Sequence, residues 1–206
     1  MSSSVTRKNR IALILTVLAF VLPAALAYLA HSTGFWQSRG TVNKGELINP
    51  PINFDELALT SSDKPFDRKK QWWIVYTAPK QCDVACQNSL LQVRQSQIAT
   101  GPYKNRVSTL LISHEYSDPT AKSWVKEHAP DMSTASLKEA DWNKQMANAV
   151  ILESQSASNA GQIYIVDPMG AIFMTYPAEP DEKAAIQQGK GLVKDLQRVL
   201  KLSRIG

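Results

Sequence analysis

The chain is short of the side chains that most site chemistry needs. It has two cysteines, three histidines and nine glycines in 206 residues. Two cysteines cannot form the multi-bridge framework that holds small secreted domains together. No histidine occurs between residues 129 and 206, so a histidine-rich metal cage in the C-terminal third is excluded. No glycine-rich phosphate loop, Ser-His-Asp set or pair of catalytic carboxylates stands out, and there is no internal repeat. The formal charge of +5 includes Arg7, Lys8 and Arg10, and the remaining excess is spread along the chain. Without a basic stripe interleaved with aromatics, nucleic acid is not an expected partner.

One long apolar run is present. Residues 11–30, IALILTVLAFVLPAALAYLA, carry no charge, and twenty residues at 1.5 Å rise cross a hydrocarbon core of about 30 Å. The three cations ahead of the run, with no acid among them, predict a cytoplasmic N-tail (residues 1–10), a transmembrane anchor (11–30) and export of the chain beyond residue 30. Pro23 and Ala25-Leu26-Ala27 also resemble the end of a cleavable signal. The run continues past that point to Ala30, which favours an uncleaved anchor; both readings export the same domain. Residues 31–50 read as a juxtamembrane linker with little structure, Phe35 and Trp36 being suited to the membrane surface or to packing. Residues 51–206 read as one domain, about 150 residues and enough for a proper core.

Within that domain Trp72–Thr77 is a continuous apolar run, suited to a strand buried on both faces. A helix over roughly 83–99 comes next, with Val84, Leu91 and Ile98 on one stripe and Leu90 beside it, closed by Gly101-Pro102. Val107–Ser113 is the next buried strand, and the strand–helix–strand order predicts parallel neighbours. Asp118-Pro119 starts a helix to about His128. Leu137–Ala149 suits a short helix and Ala149–Leu152 a short strand. Ile163–Val166 and Ala171–Thr175 form a hairpin through the turn Asp167-Pro168-Met169-Gly170. Pro180-Asp181 caps a last helix to about Leu202, with Ile186, Leu192, Val193, Leu196, Val199 and Leu200 as its apolar face. Ahead of all this, Ile52–Phe54 and Leu57–Leu59 suit an edge strand or hairpin beyond the break at Pro50-Pro51.

The only cysteines, Cys82 and Cys86, open the first helix with C-x-x-x-C spacing. Unpaired N–H groups and the helix dipole favour thiolate there. At i, i+4 two helix-borne sulfurs lie about one turn apart. That suits a soft metal ion, or a dithiol/disulfide couple if the first turn is distorted. A structural disulfide is the plain alternative. His114, directly after the second buried strand, is the candidate third ligand or base, since ligands gather at the carboxyl ends of strands in open α/β sheets; an ordinary surface histidine is the alternative. His31 and His128 read as ordinary.

The order β-α(Cys)-β-α-β-β-α resembles a thioredoxin-like domain: a mixed sheet flanked by helices, here after one N-terminal transmembrane helix. Within that class, strand–loop–CxxxC–helix resembles the Sco/SenC family of copper-handling proteins of cytochrome c oxidase assembly, which are also anchored by one N-terminal helix. Cys82-Asp83-Val84-Ala85-Cys86 is similar to the family's C-P-D-x-C in spacing and chemistry. Tyr164–Gly170 is similar to its apolar strand and D-P-x-G turn. Asn43-Lys44-Gly45-Glu46-Leu47 with Pro50, and Trp73–Tyr76 with Cys82–Cys86, resemble a group of proteobacterial anchored thioredoxin-like proteins of oxidase assembly. The resemblance implies a single-pass protein of a bacterial inner membrane with its domain in the periplasm. It implies a copper-bearing oxidase subunit as partner, and copper(I) held by Cys82 and Cys86, to which His114 is the candidate third ligand by its place at the strand end. The family's own third ligand, a histidine, would fall near Asn159. The cis-proline of thioredoxin-type oxidoreductases, placed before the same strand, is replaced by Gly161-Gln162. Three candidate functions result: a Cu(I) metallochaperone, a thiol–disulfide reductase of a partner's copper-site cysteines with Cys82 as nucleophile and Cys86 as resolving thiol, and a scaffold with a static disulfide.

Overall fold

The computed structural model describes residues 3–32, 42–61, 70–114, 119–147, 149–151 and 161–205. Two compact units divide between Val42 and Asn43. The first contains one helix, α1 (Ser3–Ser32), which runs through Pro23. Its stretch Arg10–Ala30 is long and apolar enough to cross a membrane, and Leu13, Leu15 and Phe20 are exposed along it. The predicted span is therefore one continuous helix.

The second unit is built on an eight-stranded mixed sheet. Its strands are β1 (Glu46–Asn53), β2 (Thr60–Ser61), β3 (Trp72–Thr77), β4 (Val107–His114), β5 (Ser133–Leu137), β6 (Val150–Ile151), β7 (Gln162–Val166) and β8 (Ala171–Pro177). They lie in the order β2-β5-β4-β3-β7-β8-β1-β6. β3, β4 and β5 are parallel, with Trp72 opposite Val107 and Thr77 opposite Ile112, and β7 joins β3 antiparallel. The buried strand at Trp72–Thr77 and its parallel partner are where the apolar runs predicted them, because six consecutive buried residues need cover on both faces. The hairpin is also as predicted: Gly170 N–H donates to Asp167 O at 3.0 Å, and Asp167 Oδ1 accepts from Met169 and Ala171 N–H.

Four helices cover the sheet: α2 (Val84–Ala99), α3 (Thr120–His128), α4 (Glu139–Met146) and α5 (Glu182–Leu202). Strand alternation sorts the core into two layers. Ile74, Tyr76, Leu111, Ile163 and Ile165 pack with α2, α3 and α5. Trp73, Val75, Leu110, Ile112 and Tyr164 pack with Trp142 and Met146 of α4.

Several expectations are corrected. Residues 46–50, read as linker, belong to β1, and the second unit begins at Asn43. Pro50 and Pro51 do not end this strand; the β1–β8 register shifts between Leu47 and Ile52 and the pairing resumes beyond them. No hairpin forms from Ile52–Leu59, where a 3-10 turn at Phe54–Glu56 leads to β2. β5 was not foreseen: STASL has too little apolar alternation to announce a strand, yet it pairs in parallel with β4. In α2 the predicted stripe faces outward, Val84, Leu91 and Ile98 being 68, 40 and 51% exposed. The helix buries Cys86, Ser89, Leu90, Gln92, Val93 and Ser96 instead. Ile186 of α5 is likewise half exposed. Pro119 takes the cap position of α3, and Asp118 lies outside the described residues, as do Phe35, Trp36 and the position near Asn159.

Candidate functional site

β3 ends at Thr77 and α2 begins at Val84, so the connecting loop leaves the carboxyl end of the central strand. Asp83 caps the helix: its Oδ1 accepts the Cys86 N–H at 3.0 Å, and its extended backbone turns the chain into the first turn. Cys86 is thereby the third helical residue and is buried. Cys82 precedes the cap, outside the helix, and is half-buried. The expectation of two helix-borne sulfurs is corrected to one in the loop and one in the helix. They are joined as a disulfide, with the two Cα atoms 5.1 Å apart.

Tyr76 lies beneath this turn and in the same core layer as Cys86. Burial pushes its phenol far above the ordinary tyrosine value. The neighbouring Ser89 hydroxyl offsets this in part, and the Asp83 carboxylate adds to it. Ser89 itself donates to Ala85 O at 2.8 Å, within the cysteine turn. Sequence reading passed over Tyr76; its signal was its place as the inward residue next to the end of the strand that delivers the cysteines.

His114 is the last residue of β4 and is buried. It pairs in register with Leu137, whose side chain belongs to the α4 layer, as do those of Leu110 and Ile112, four and two residues before it. Alternation therefore puts His114 on the sheet face opposite Cys86. Among the described residues no group of three or more His, Cys, Asp or Glu side chains is placed to hold a metal ion. The structure brings Cys82 and Cys86 together and leaves His114 apart from them. His128 stacks on Trp124 at 4.9 Å at the exposed end of α3, as an ordinary histidine does. Where thioredoxin-type oxidoreductases place a cis-proline, Gly161 adopts φ +77° and donates its N–H to Thr77 O at 2.7 Å.

A buried structural acid also escaped sequence reading. Asp195, on the inward face of α5, is buried. Its Oδ2 accepts the N–H groups of Lys44 and Gly45 and the Tyr176 hydroxyl at 3.0 Å, and its Oδ1 meets Arg198 at 3.2 Å. The segment entering β1 is thus fastened to the last helix. The approach is close: a Cβ on Gly191 would stand 2.8 Å from Lys44 Cβ. An acid between Leu192 and Leu196 on an apolar stripe was the available signal.

A mixed sheet with helices on both faces, and a disulfide-joined cysteine pair where the central strand hands over to its helix, defines a thioredoxin-like protein. Residues 72–203, more than half of the chain, match the family described as transmembrane-like, thioredoxin-like, C-terminal domain, and the chain belongs to that family. No curated protein matches the sequence. Similar solved structures include a SCO1/SenC family lipoprotein from Bacillus anthracis (16% identity, 74% of this chain and 96% of that one, TM-score 0.48). Another is Arabidopsis thaliana ScoI with copper bound (14%, 77% and 99%, 0.45). A third is the thioredoxin domain of a thiol-disulfide oxidoreductase from Bacteroides vulgatus (13%, 78% and 96%, 0.45).

Proposed function

We propose that this chain is a membrane-anchored thioredoxin-like factor for assembly of a respiratory cytochrome oxidase. It works through the Cys82–Cys86 pair on the periplasmic side of a bacterial inner membrane, with the oxidase's copper-bearing subunit as partner. The oxidase context and the location rest on the resemblance of the CxxxC, Asp167–Gly170 and Asn43–Leu47 segments and on the apolar helix α1.

Dithiol–disulfide exchange is the chemistry that the geometry favours. The observation that carries it is the asymmetry of the pair: Cys82 half-buried ahead of the cap, Cys86 buried in the helix. Starting from the dithiol, the Cys82 thiolate attacks a partner disulfide, forming a mixed disulfide and releasing one partner thiolate. Cys86 then attacks the Cys82 sulfur and releases the second. Two electrons pass to the partner, and this chain is left with its Cys82–Cys86 disulfide. Cys86→Ser in the full-length protein is expected to accumulate the mixed disulfide, separable on non-reducing gels, and Cys82→Ser to abolish it. No trapped species in either variant, with unchanged respiration in a Cys82/Cys86 double alanine strain, would leave only the static disulfide.

A second reading treats Cu(I) as cargo, supported by the two convergent sulfurs. Once reduced, they offer a two-coordinate thiolate site of the kind Cu(I) accepts. Titrating the reduced full chain with Cu(I) against a chelator is expected to show uptake that Cys82→Ser abolishes. His114→Ala, on the opposite face of the sheet, is expected to leave it unchanged.

A further inference from the structure

Between α2 and α5, on the outside of the second unit, runs a groove of about 580 Å³. Its apolar lining is Leu91 and Ala99 from α2 and Ala185, Ile186 and Val193 from α5. Leu91 and Ile186 are 40 and 52% exposed, and Ile98 adds a further exposed apolar side chain to α2. These are residues whose spacing predicted an inward face. At the base lies Gln92, only 7% exposed. Its Nε2 donates to Gln188 Oε1 at 3.0 Å, while its buried Oε1 has no hydrogen-bond partner among the described residues. A buried carbonyl without a donor destabilises the fold, and it is satisfied if a ligand supplies one.

We infer that this groove is a docking site for an amphipathic helix of a partner protein, with acidic residues flanking its apolar stripe. Charge complementarity selects the acidic flank: the charged residues on the walls are Lys190, Lys194 and, at one end, Glu182. The walls also carry Asn88, Gln95 and Gln197 beside Gln92. Gln197 Nε2 donates to Ala99 O at 3.2 Å; to the remaining amide groups an acyl chain offers no donor or acceptor, whereas polar side chains flanking a helix stripe do. Both walls are helices and offer no open strand edge, which excludes strand addition and favours a helix laid in a groove. The α2 wall from Asn88 to Ala99 measures about 16 Å at 1.5 Å per residue, the length of three helical turns. The site lies on α2 beyond the cysteine turn and does not depend on the chemistry of the pair.

The test uses the full chain in detergent micelles and a panel of labelled 16-residue stapled amphipathic helices. The panel varies the spacing of the leucines and carries either Glu or Lys on the flanks. Fluorescence anisotropy is expected to give saturable binding of Glu-flanked members. The solvent-facing change Ile186→Asp should weaken it about tenfold or more, and Lys190→Glu with Lys194→Glu should transfer the preference to the Lys-flanked members. The Cys82–Cys86 disulfide forms normally in both variants. The proposal is overturned if no Glu-flanked member saturates, if Ile186→Asp binds as well as wild type, or if charge reversal leaves the preference unchanged. Concentration-dependent dimerisation abolished by Ile186→Asp would assign the face to a second copy, and vesicle binding abolished by it would assign it to lipid; either also overturns the proposal.

Discussion

α2 and α5 cover the same side of the sheet, and each begins at an aspartate cap: Asp83 accepts from Cys86 N–H, and Asp181 from Ala184 N–H at 2.8 Å. Their inward faces differ. α5 turns Leu192, Leu196 and Leu200 into the core, with one acid among them. α2 turns in Cys86, Ser89, Gln92 and Ser96 along with Leu90 and Val93, and leaves Val84, Leu91 and Ile98 outside. α5 therefore fastens the unit through apolar burial and the Asp195 junction. α2 gives part of its inner face to the cysteine turn and part of its outer face to an apolar surface. One layer of the fold thus divides apolar fastening and the cysteine turn between neighbouring helices.

The sharpest way to break this contrast is Asp195→Ala. It leaves the Lys44 and Gly45 N–H groups without their acceptor and the Tyr176 hydroxyl with only the weak acceptor Met174 Sδ. Losing an acceptor shared by buried donors is expected to cost about 3–5 kcal/mol, read as a lower urea midpoint. A loss under about 1 kcal/mol would remove α5's role as the fastening helix. Next come the leucines. Leu196→Ala and Leu90→Ala each empty a fully buried site and should cost about 2–5 kcal/mol, while Leu91→Ala, on the outer side of α2, should change stability by less than about 1 kcal/mol. Equal costs for Leu90 and Leu91 would mean that the outward placement of the stripe is wrong.

The unequal reading of these helices in the sequence has a physical cause. Periodicity finds the face on which apolar residues recur, and in α5 that is mostly the face the core takes up. In α2 Leu91 and Ile98 recur at helical spacing with Val84, but rotation of the helix is set by where β3 delivers Cys86, so Ser89 and Ser96 go inward. The same limit hid β5, whose Ser, Thr and Ala side chains carry little apolar signal. Pro50 and Pro51 read as a break because periodicity does not foresee a shifted register that tolerates them. β3, β4, the hairpin turn and the cysteine pair were legible because each rests on a local rule: a continuous apolar run, a Pro-Gly turn, a unique residue type. The face of His114 was not, since one residue of strand alternation decides it.

Two buried tyrosines extend the comparison to alkaline pH. Tyr76 lies against α2, and Tyr176 donates to Asp195 of α5. Burial raises both phenols above the ordinary value of 10.0, with the Asp195 charge adding to the rise for Tyr176 and Asp83 to that for Tyr76. The folded state then keeps its phenol protons while the unfolded chain starts to lose them near pH 10. Above that pH the unfolded state binds fewer protons, so stability is complete below pH 10 and falls as pH rises further. Denaturation curves between pH 9 and 12 should show this fall, and Tyr76→Phe or Tyr176→Phe should each lessen it, the buried Tyr164 phenol, also raised by burial, contributing to the remainder. At neutral pH the two differ: Tyr176→Phe loses a hydrogen bond to a carboxylate and costs about 1.5–3 kcal/mol, while Tyr76→Phe changes little. An alkaline fall that both single variants retain in full would assign it to other groups.

The smallest expected effect tests the cap on which the site is built. Asp83→Ala removes the acceptor of the Cys86 N–H and should cost about 1 kcal/mol, whereas Asp83→Asn keeps a side-chain oxygen at the cap and should stay within a few tenths of wild type. The two variants also separate geometry from charge at the cysteines. In the reduced protein a Cys82 thiolate would sit one residue from the Asp83 carboxylate, and removing that charge favours the thiolate. Both variants should therefore show a higher reduction potential than wild type in a glutathione titration, although only Asp83→Ala is less stable. If Asp83→Asn leaves the potential unchanged while Asp83→Ala shifts it, the residue acts on the pair through the shape of the first turn alone, and the contrast between α2 and α5 reduces to packing.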